Sequence, residues 1–313
     1  MALPVIDNLR AAEPRITIDV WCGRHARPVF EWHPGVNDII EIPSVPTLGA
    51  LPGLSRRLRA SKNDGFFVLD RSRFIAAACR VAGATVLGTV RNPTHDAVHE
   101  TDRYLGALRD AGITTQTRQP ALHFDTNMIE PLLREFELAG QPFVVLHPGG
   151  AQNPGAAMLS KRWPVAGWRA LISWLEALSI RAILTGGPDE IELCQAVAQG
   201  SGALIAAGRL ALMQSATLAA GALAYVGPDT GLTHLAAASG VPVIALFGPT
   251  NPRQYAPRGA RVTVLAAPGA ELLADVDLRR QSPAKRPATA EIPPQAVIEA
   301  LTAYVQASGA PAC

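Results

Sequence analysis

Paired cysteines are missing: Cys22, Cys79, Cys194 and Cys313 stand singly, without metal-ligand spacing. That argues against a disulfide framework or a cysteine metal site and fits a reducing compartment. An excess of one charge is missing too, since the formal net charge is only +2. The basic residues are scattered, so no nucleic-acid track is present. The densest basic cluster, Arg56-Arg57-Leu58-Arg59 with Lys62, reads as a solvated helix face, with docking of an acidic acceptor as the alternative reading. Aromatic residues are scarce at 5%. There is no uninterrupted apolar run of membrane-spanning length. The most apolar region, Ala203 to Val226, is interrupted by Arg209 and Gln214 and broken by Gly208 and Gly221, so it reads as core. The opening residues do not read as a secretory leader, and the expected location is cytoplasmic.

What is present is a large apolar fraction, 48% of 313 residues, enough for a sizeable core divided between two domains. The first half alternates strand and helix patterns. Ala2 to Ala12 reads as a helix and Ile16 to Trp21 as a strand. Strands are expected at Asp38 to Ile42, Phe66 to Leu69 and Thr85 to Val90, with helices at Arg73 to Ala82 and His95 to Ala111. The pattern weakens from Gly112 to Gln141. The expected domains are therefore 1–135 and 136–293, with a closing helix in 294–313 that packs back toward the first domain.

The rest of the chain is organised around Ala224 to Thr250. Leu223 to Val226 is a short apolar run stopped by Gly227-Pro228, and Leu232 to Ala238 has helical spacing and small residues. Gly240 ends that helix, and Val241 to Phe247 is a second strand. The loop Asp229-Thr230-Gly231 then lies at the carboxyl edge of a parallel sheet, where ligands bind. Asp229 is the expected helix cap. The Thr230 hydroxyl and the amides of Thr230, Gly231 and Leu232 suit an anion such as a diphosphate, while simple capping of a core helix is the plainer reading. His234 sits one turn on, on the same face as Thr230.

Two further loops have the same placement. Strand Phe143 to Leu146 runs into His147-Pro148-Gly149-Gly150 and a polar loop ending at Lys161-Arg162-Trp163-Pro164, before a helix with Trp168, Leu171, Ile172 and Leu175 inward. Cations are disfavoured at a helix start, so the position of Lys161 and Arg162 favours a phosphate role over two merely solvated charges. Strand Ile183 to Thr185 leads into Gly186-Gly187-Pro188-Asp189-Glu190. Asp189 and Glu190 are both dipole complements, and either carboxylate at this edge is a candidate to accept the ribose hydroxyls. Asp275-Val276-Asp277 is read as an ordinary polar-loop triplet, and no metal or cofactor is expected.

Asp229-Thr230-Gly231, His234, Ala236-Ala237-Ala238, Gly240, Pro242 and Leu246-Phe247-Gly248-Pro249-Thr250 together resemble the signature of glycosyltransferase family 9, the ADP-heptose lipopolysaccharide heptosyltransferases. The resemblance covers nearly the whole chain. It implies an α/β GT-B fold, two Rossmann-like domains facing across a cleft. It also implies inverting transfer of a heptose from ADP-heptose to a lipid A core-type saccharide acceptor, at the inner face of the membrane. The family's Lys-x-Trp-Pro lysine contacts the diphosphate, a role carried to Lys161, with Ser160 as companion. An acid near Asp189 and Glu190 serves the nucleotide sugar, and Asp229, Thr230, Gly231 and His234 complete the donor site.

The family's general base is an Asp in a loop after the first strand, just before the helix that corresponds to Ala2 to Ala12. The chain is therefore expected to begin downstream of that strand, and no catalytic base is assigned within it. Asp70, His99 and Glu100 are considered as substitutes and read as structural. Two alternatives accompany the transferase reading: a nucleotide-sugar-binding homologue without the base, and a nucleotide-sugar epimerase. The epimerase would need paired acid and base groups that the nucleotide loops do not offer.

Overall fold

The computed structural model describes the chain apart from residues 45–46, 91–96, 151, 154–155, 274–285 and 308–313. The chain divides into two compact units between His123 and Phe124. The first runs α1 (Leu3–Ala12), β1 (Asp19–Gly23), α2 (Arg27–Phe30), β2 (Asp38–Ile42), α3 (Leu51–Ala60), β3 (Phe66–Val68), α4 (Arg73–Ala82), β4 (Val86–Thr89) and α5 (Glu100–Asp110). Its strands form two parallel pairs, β1 with β2 and β3 with β4. Among the described residues no ladder joins the pairs. Trp21 of β1 and Phe66 of β3 meet edge to face at 6.0 Å.

In α3, Leu54 and Leu58 are buried while Arg56, Arg57 and Arg59 are exposed, as an amphipathic helix requires. Arg57 lies over the Trp21 ring at 5.5 Å and donates to the Glu41 carbonyl.

The second unit begins ahead of α6 (Ile129–Glu135), which packs on α9 (Leu212–Ala220) and so belongs here rather than with the first unit. It continues with β5 (Phe143–Leu146), a short hairpin of β6 (Gln152–Asn153) and β7 (Ala156–Ala157), α7 (Val165–Ala177), β8 (Arg181–Leu184), α8 (Ile191–Ala198) and β9 (Leu204–Ile205). After α9 come β10 (Ala224–Pro228), α10 (Gly231–Ser239), β11 (Val243–Phe247), α11 (Pro252–Tyr255), β12 (Val262–Ala266) and α12 (Pro294–Ala307).

Six strands make one parallel sheet in the order β12-β11-β10-β5-β8-β9. The chain starts at β5, winds outward through β8 and β9, then returns to the other side of β5 and winds outward again. That is the doubly wound order, whose switch point lies between β5 and β10.

Burial explains why the sheet holds. Every residue of β5, β10 and β11 is buried, as strands covered on both faces demand. Trp168, Leu171, Ile172 and Leu175 recur along α7 and are buried against the sheet with Val144, Leu146 and Leu184. The closing helix α12 was expected to return to the first unit. Instead its stripe of Val297, Leu301 and Val305 enters the second unit's core, where the helix touches α7 and β10 to β12. Leu301 is fully buried there. Leu301→Ala should therefore lower stability by about 2–5 kcal/mol, measured by denaturant unfolding.

Candidate functional site

Three loops meet at the switch point. The first follows β5. His147 N–H extends the ladder to the Val226 carbonyl at 2.9 Å, and its ring Nδ1 lies 3.0 Å from the buried Thr185 carbonyl. A carbonyl only accepts, so Nδ1 carries a proton. Gly149 and Gly150 follow, and both positions require glycine. A Cβ on Gly149 would stand 1.8 Å from a Glu190 carboxylate oxygen. Gly150 has φ +87° and would place a Cβ 2.1 Å from Thr230 Cγ2. The β5 loop thus lies against the loops after β8 and β10 with no room for side chains.

The β8 loop contributes Glu190. Its carboxylate accepts from Gly150 N–H at 2.5 Å and Gly187 N–H at 2.9 Å, binding two loops together. Glu190 is buried and Asp189 is exposed, so only Glu190 belongs to this cluster.

The β10 loop differs from expectation in its cap. Thr230, not Asp229, is the N-cap of α10: its Oγ1 accepts from Thr233 N–H at 3.3 Å. Thr233 Oγ1 in turn donates to the Pro228 carbonyl at 2.5 Å and lies 3.2 Å from the Tyr225 hydroxyl, which anchors the turn from beneath. At the far end Gly240, with φ +89°, stops the helix.

Asp229 is free of the cap because it is held elsewhere. Lys161 Nζ donates to its carboxylate at 3.0 Å and to its carbonyl at 3.1 Å. His234 Nε2 lies 3.6 Å from the other carboxylate oxygen, and all three side chains are largely buried. Burial alone would raise the Asp229 carboxyl, but His234 and the Lys161 ammonium outweigh it and hold the group at about 2. Burial pushes His234 below its ordinary value, against the pull of Asp229, so the neutral imidazole prevails at neutral pH.

The folded pKa of Asp229 lies below its ordinary 3.8, so its contribution to stability is complete above that value and is lost as pH falls toward about 2. The stability gap between the wild type and Asp229→Asn should stay constant from neutral pH to roughly pH 4 and narrow below it, as read by urea unfolding across pH.

Lys161 reaches Asp229 because the segment around it is pinned. Trp163 Nε1 donates to the Ile292 carbonyl at 2.9 Å, and its ring meets Trp168 edge to face at 5.0 Å. Thr289 Oγ1 donates to the Ser160 carbonyl at 3.2 Å, so Ser160 enters this arrangement through its backbone.

A sequence model described as glycosyltransferase family 9 (heptosyltransferase) matches residues 85–285, which span all three loops. The chain belongs to glycosyltransferase family 9. It is 26% identical to lipopolysaccharide heptosyltransferase 1 of Escherichia coli O18:K1:H7 over 296 residues, covering 86% of this chain and 88% of the relative. The family 9 glycosyl transferase of Veillonella parvula superposes with a TM-score of 0.80 at 19% identity, covering 98% of this chain and 93% of that one. The ADP-heptose lipopolysaccharide heptosyltransferase II of Escherichia coli gives 0.78 at 23% identity, covering 99% and 95%. These neighbours make the fold of this family 9 glycosyltransferase GT-B.

The remaining candidates of the family 9 chain lie outside the switch-point loops. Asp70 Oδ1 accepts from Ser72 N–H at 2.5 Å, and His99 caps α5 by accepting from Thr101 N–H at 3.2 Å. Glu100 is buried in an ion pair with Arg71. Each therefore has a structural partner. Asp275 to Asp277 lies outside the described residues.

Among the described residues, Asp7, His33 and His123 bring potential metal-ligand atoms within 4.8 Å of one another. Gly35 N–H donates to His33 Nδ1 at 3.0 Å, so Nε2 carries the proton and faces Asp7 at 3.3 Å. Nε2 is buried without a hydrogen-bond partner and has the Asp7 carboxylate as its near neighbour. Sequence reasoning missed His147, Gly149, Gly150 and Thr233 as site residues. The signal was the His-Pro-Gly-Gly run directly after a buried strand.

Proposed function

We propose that this glycosyltransferase moves a heptose from ADP-heptose to a lipopolysaccharide core acceptor, with inversion at the anomeric carbon. The observation that carries the reading is the meeting of Lys161, Asp229, Thr230 and His234 at the switch point, beside the N-terminus of α10. The relatives' own names supply the donor and the acceptor.

In an inverting transfer the acceptor hydroxyl attacks one face while the nucleoside diphosphate leaves from the other, so charge grows on the diphosphate. The amides of Thr230, Gly231 and Leu232 precede the first intrahelical bond of α10, from His234 N–H to the Thr230 carbonyl, and are aimed at an incoming anion. Preorganised donors of this kind stabilise a developing anion without reorganising during the reaction. His234, as a neutral imidazole, is a hydrogen-bonding group for a phosphate or sugar oxygen rather than the base. To Glu190, held between two loops, this reading gives the role of accepting the ribose hydroxyls.

The lipid-linked acceptor puts the enzyme at the inner face of the membrane as a peripheral protein. Among the described residues no helix is long and apolar enough to cross it.

The test is calorimetric binding of ADP-heptose together with transfer to a heptose-free lipid A core, followed as ADP release. Transfer with stoichiometric ADP supports the reading. Binding with no transfer would favour the nucleotide-sugar-binding homologue, and no binding would sink the donor assignment.

A further inference from the structure

The arginines of α3 divide into two groups. Arg57 turns over the Trp21 ring and is engaged within its own unit. Arg56 and Arg59 lie on the other side of the helix, toward α4. The two helices run side by side in the same direction: Ser55 Oγ donates to the Ala78 carbonyl at 3.2 Å, and Arg59 Nη2 donates to the Val81 carbonyl at 2.8 Å.

Those two contacts fix which residues border the seam between the helices on its solvent side. On α3 they are Pro52, Arg56 and Arg59, spaced i, i+4 and i+7 and all exposed. On α4 they are Phe74, Ala77 and Val81, spaced i, i+3 and i+7, with Phe74 36% and Val81 54% exposed. Arg80 is exposed on the far flank of α4. At the N-terminal end of the seam, the turn into α3 presents Leu48, which is 72% exposed. The face is therefore a strip of apolar side chains with arginines on both flanks.

Its charge is uncompensated. Neither helix contains Asp or Glu, and among the described residues none of Arg56, Arg59 and Arg80 is in an ion pair. The core of the unit accounts for the inner sides of the helices, through Leu54, Leu58, Ile75, Ala78 and Cys79, and leaves the outer strip unexplained. A soluble anion would engage the arginines and leave Leu48, Phe74 and Val81 in water. A bilayer with anionic headgroups suits both kinds of side chain: the apolar ones enter the boundary between headgroups and acyl chains, and the guanidinium groups stay with the phosphates.

We propose that the α3–α4 face is the surface by which this glycosyltransferase docks on an anionic lipid bilayer. The proposal rests on the lipid-linked acceptor given above and names the part of the molecule that meets the membrane.

The experiment is flotation of the full chain with vesicles of phosphatidylcholine alone and of phosphatidylcholine mixed with phosphatidylglycerol. The wild type should float with the anionic vesicles only, and raising the salt should weaken the association. Arg56→Gln/Arg80→Gln should lower the partition coefficient by about 30-fold, from roughly fivefold per cation. Arg59 is kept because its bond to the Val81 carbonyl ties the helices together. Leu48→Ser/Val81→Ser should lower partitioning by about fivefold or more. Both variants should keep the wild-type melting temperature and ADP affinity, since the replaced side chains are exposed and lie outside the switch-point loops. Failure of the wild type to float, equal binding to both vesicle types, or unchanged partitioning of the arginine variant overturns the proposal. A loss in the arginine variant with none in the apolar variant also overturns it, because the face then takes a soluble anion. ADP binding without vesicle binding leaves the donor reading standing and removes the docking surface. Vesicle binding that follows the expected pattern without ADP binding supports the docking surface and removes the donor reading alone.

Discussion

Asp229→Ala is expected to lower stability by about 3–5 kcal/mol and to reduce transfer by about 10²- to 10³-fold. The first effect follows from Lys161, whose Nζ is 3.0 Å from the lost carboxylate and whose side chain is only 8% exposed. Removing the acid strands a buried ammonium. The second follows from geometry, because Asp229 joins the β5–α7 loop to the β10–α10 loop. The check is a melting curve beside an ADP-release assay. The double variant Lys161→Met/Asp229→Leu separates the two effects. Apolar replacement of both partners leaves no charge unpaired, so its stability should recover most of the loss while transfer stays low. A double variant as unstable as Asp229→Ala would show that the cost lies in packing and not in the stranded charge.

Gly150→Ala is the other large effect. At φ +87° an alanine is strained by about 1–2 kcal/mol, and its Cβ would also overlap Thr230 Cγ2 at 2.1 Å. The N-cap of α10 would have to shift, moving the amides that face the ligand. ADP affinity should fall by at least about tenfold, in line with the loss of oriented donors to an anion.

Two comparisons make this specific. Gly200 has φ +80° with nothing within 4 Å of its Cβ position, so Gly200→Ala should show the strain alone and bind ADP normally. Thr230→Ser keeps the capping hydroxyl and deletes the colliding methyl. Gly150→Ala/Thr230→Ser should therefore recover ADP binding relative to Gly150→Ala. Absence of recovery would place the defect in the backbone conformation instead.

The strand, loop and helix from Ala224 to Thr250 were legible in the sequence because local rules suffice there: a buried apolar run, Gly-Pro, then helical spacing closed by Gly240. The structure gives β10, α10 and β11 over nearly those residues. The cap was misread for a reason that no local rule contains. Asp229 and Thr230 are both good caps, and the choice falls to Thr230 because Lys161, distant in sequence, occupies Asp229.

Ahead of that strand, the part of the apolar region from Ala203 was read only as core. It holds β9 and α9, and its run of small apolar residues has too little contrast to show a period. The destination of the closing helix was also beyond pattern reading. Its apolar stripe was visible, but a stripe does not name the surface it covers. Which carboxylate, Asp189 or Glu190, enters the loop cluster was likewise left open by spacing. The amides of Gly150 and Gly187 select Glu190.

The strand order of the second unit has a consequence for how the protein reaches its native state. β5 is the first strand of its sheet in sequence, yet it lies between β8 and β10, and its contact with β10 joins segments far apart in the chain. Closing so long a loop is slow relative to forming the local helix and strand pairs on either side. The pairing of β5 with β10, and with it the apposition of Gly150 and Thr230, should therefore be among the last contacts made. Competence to bind nucleotide becomes a late reporter of refolding: ADP binding should appear after far-ultraviolet ellipticity has recovered, and ADP should slow unfolding more than it speeds folding.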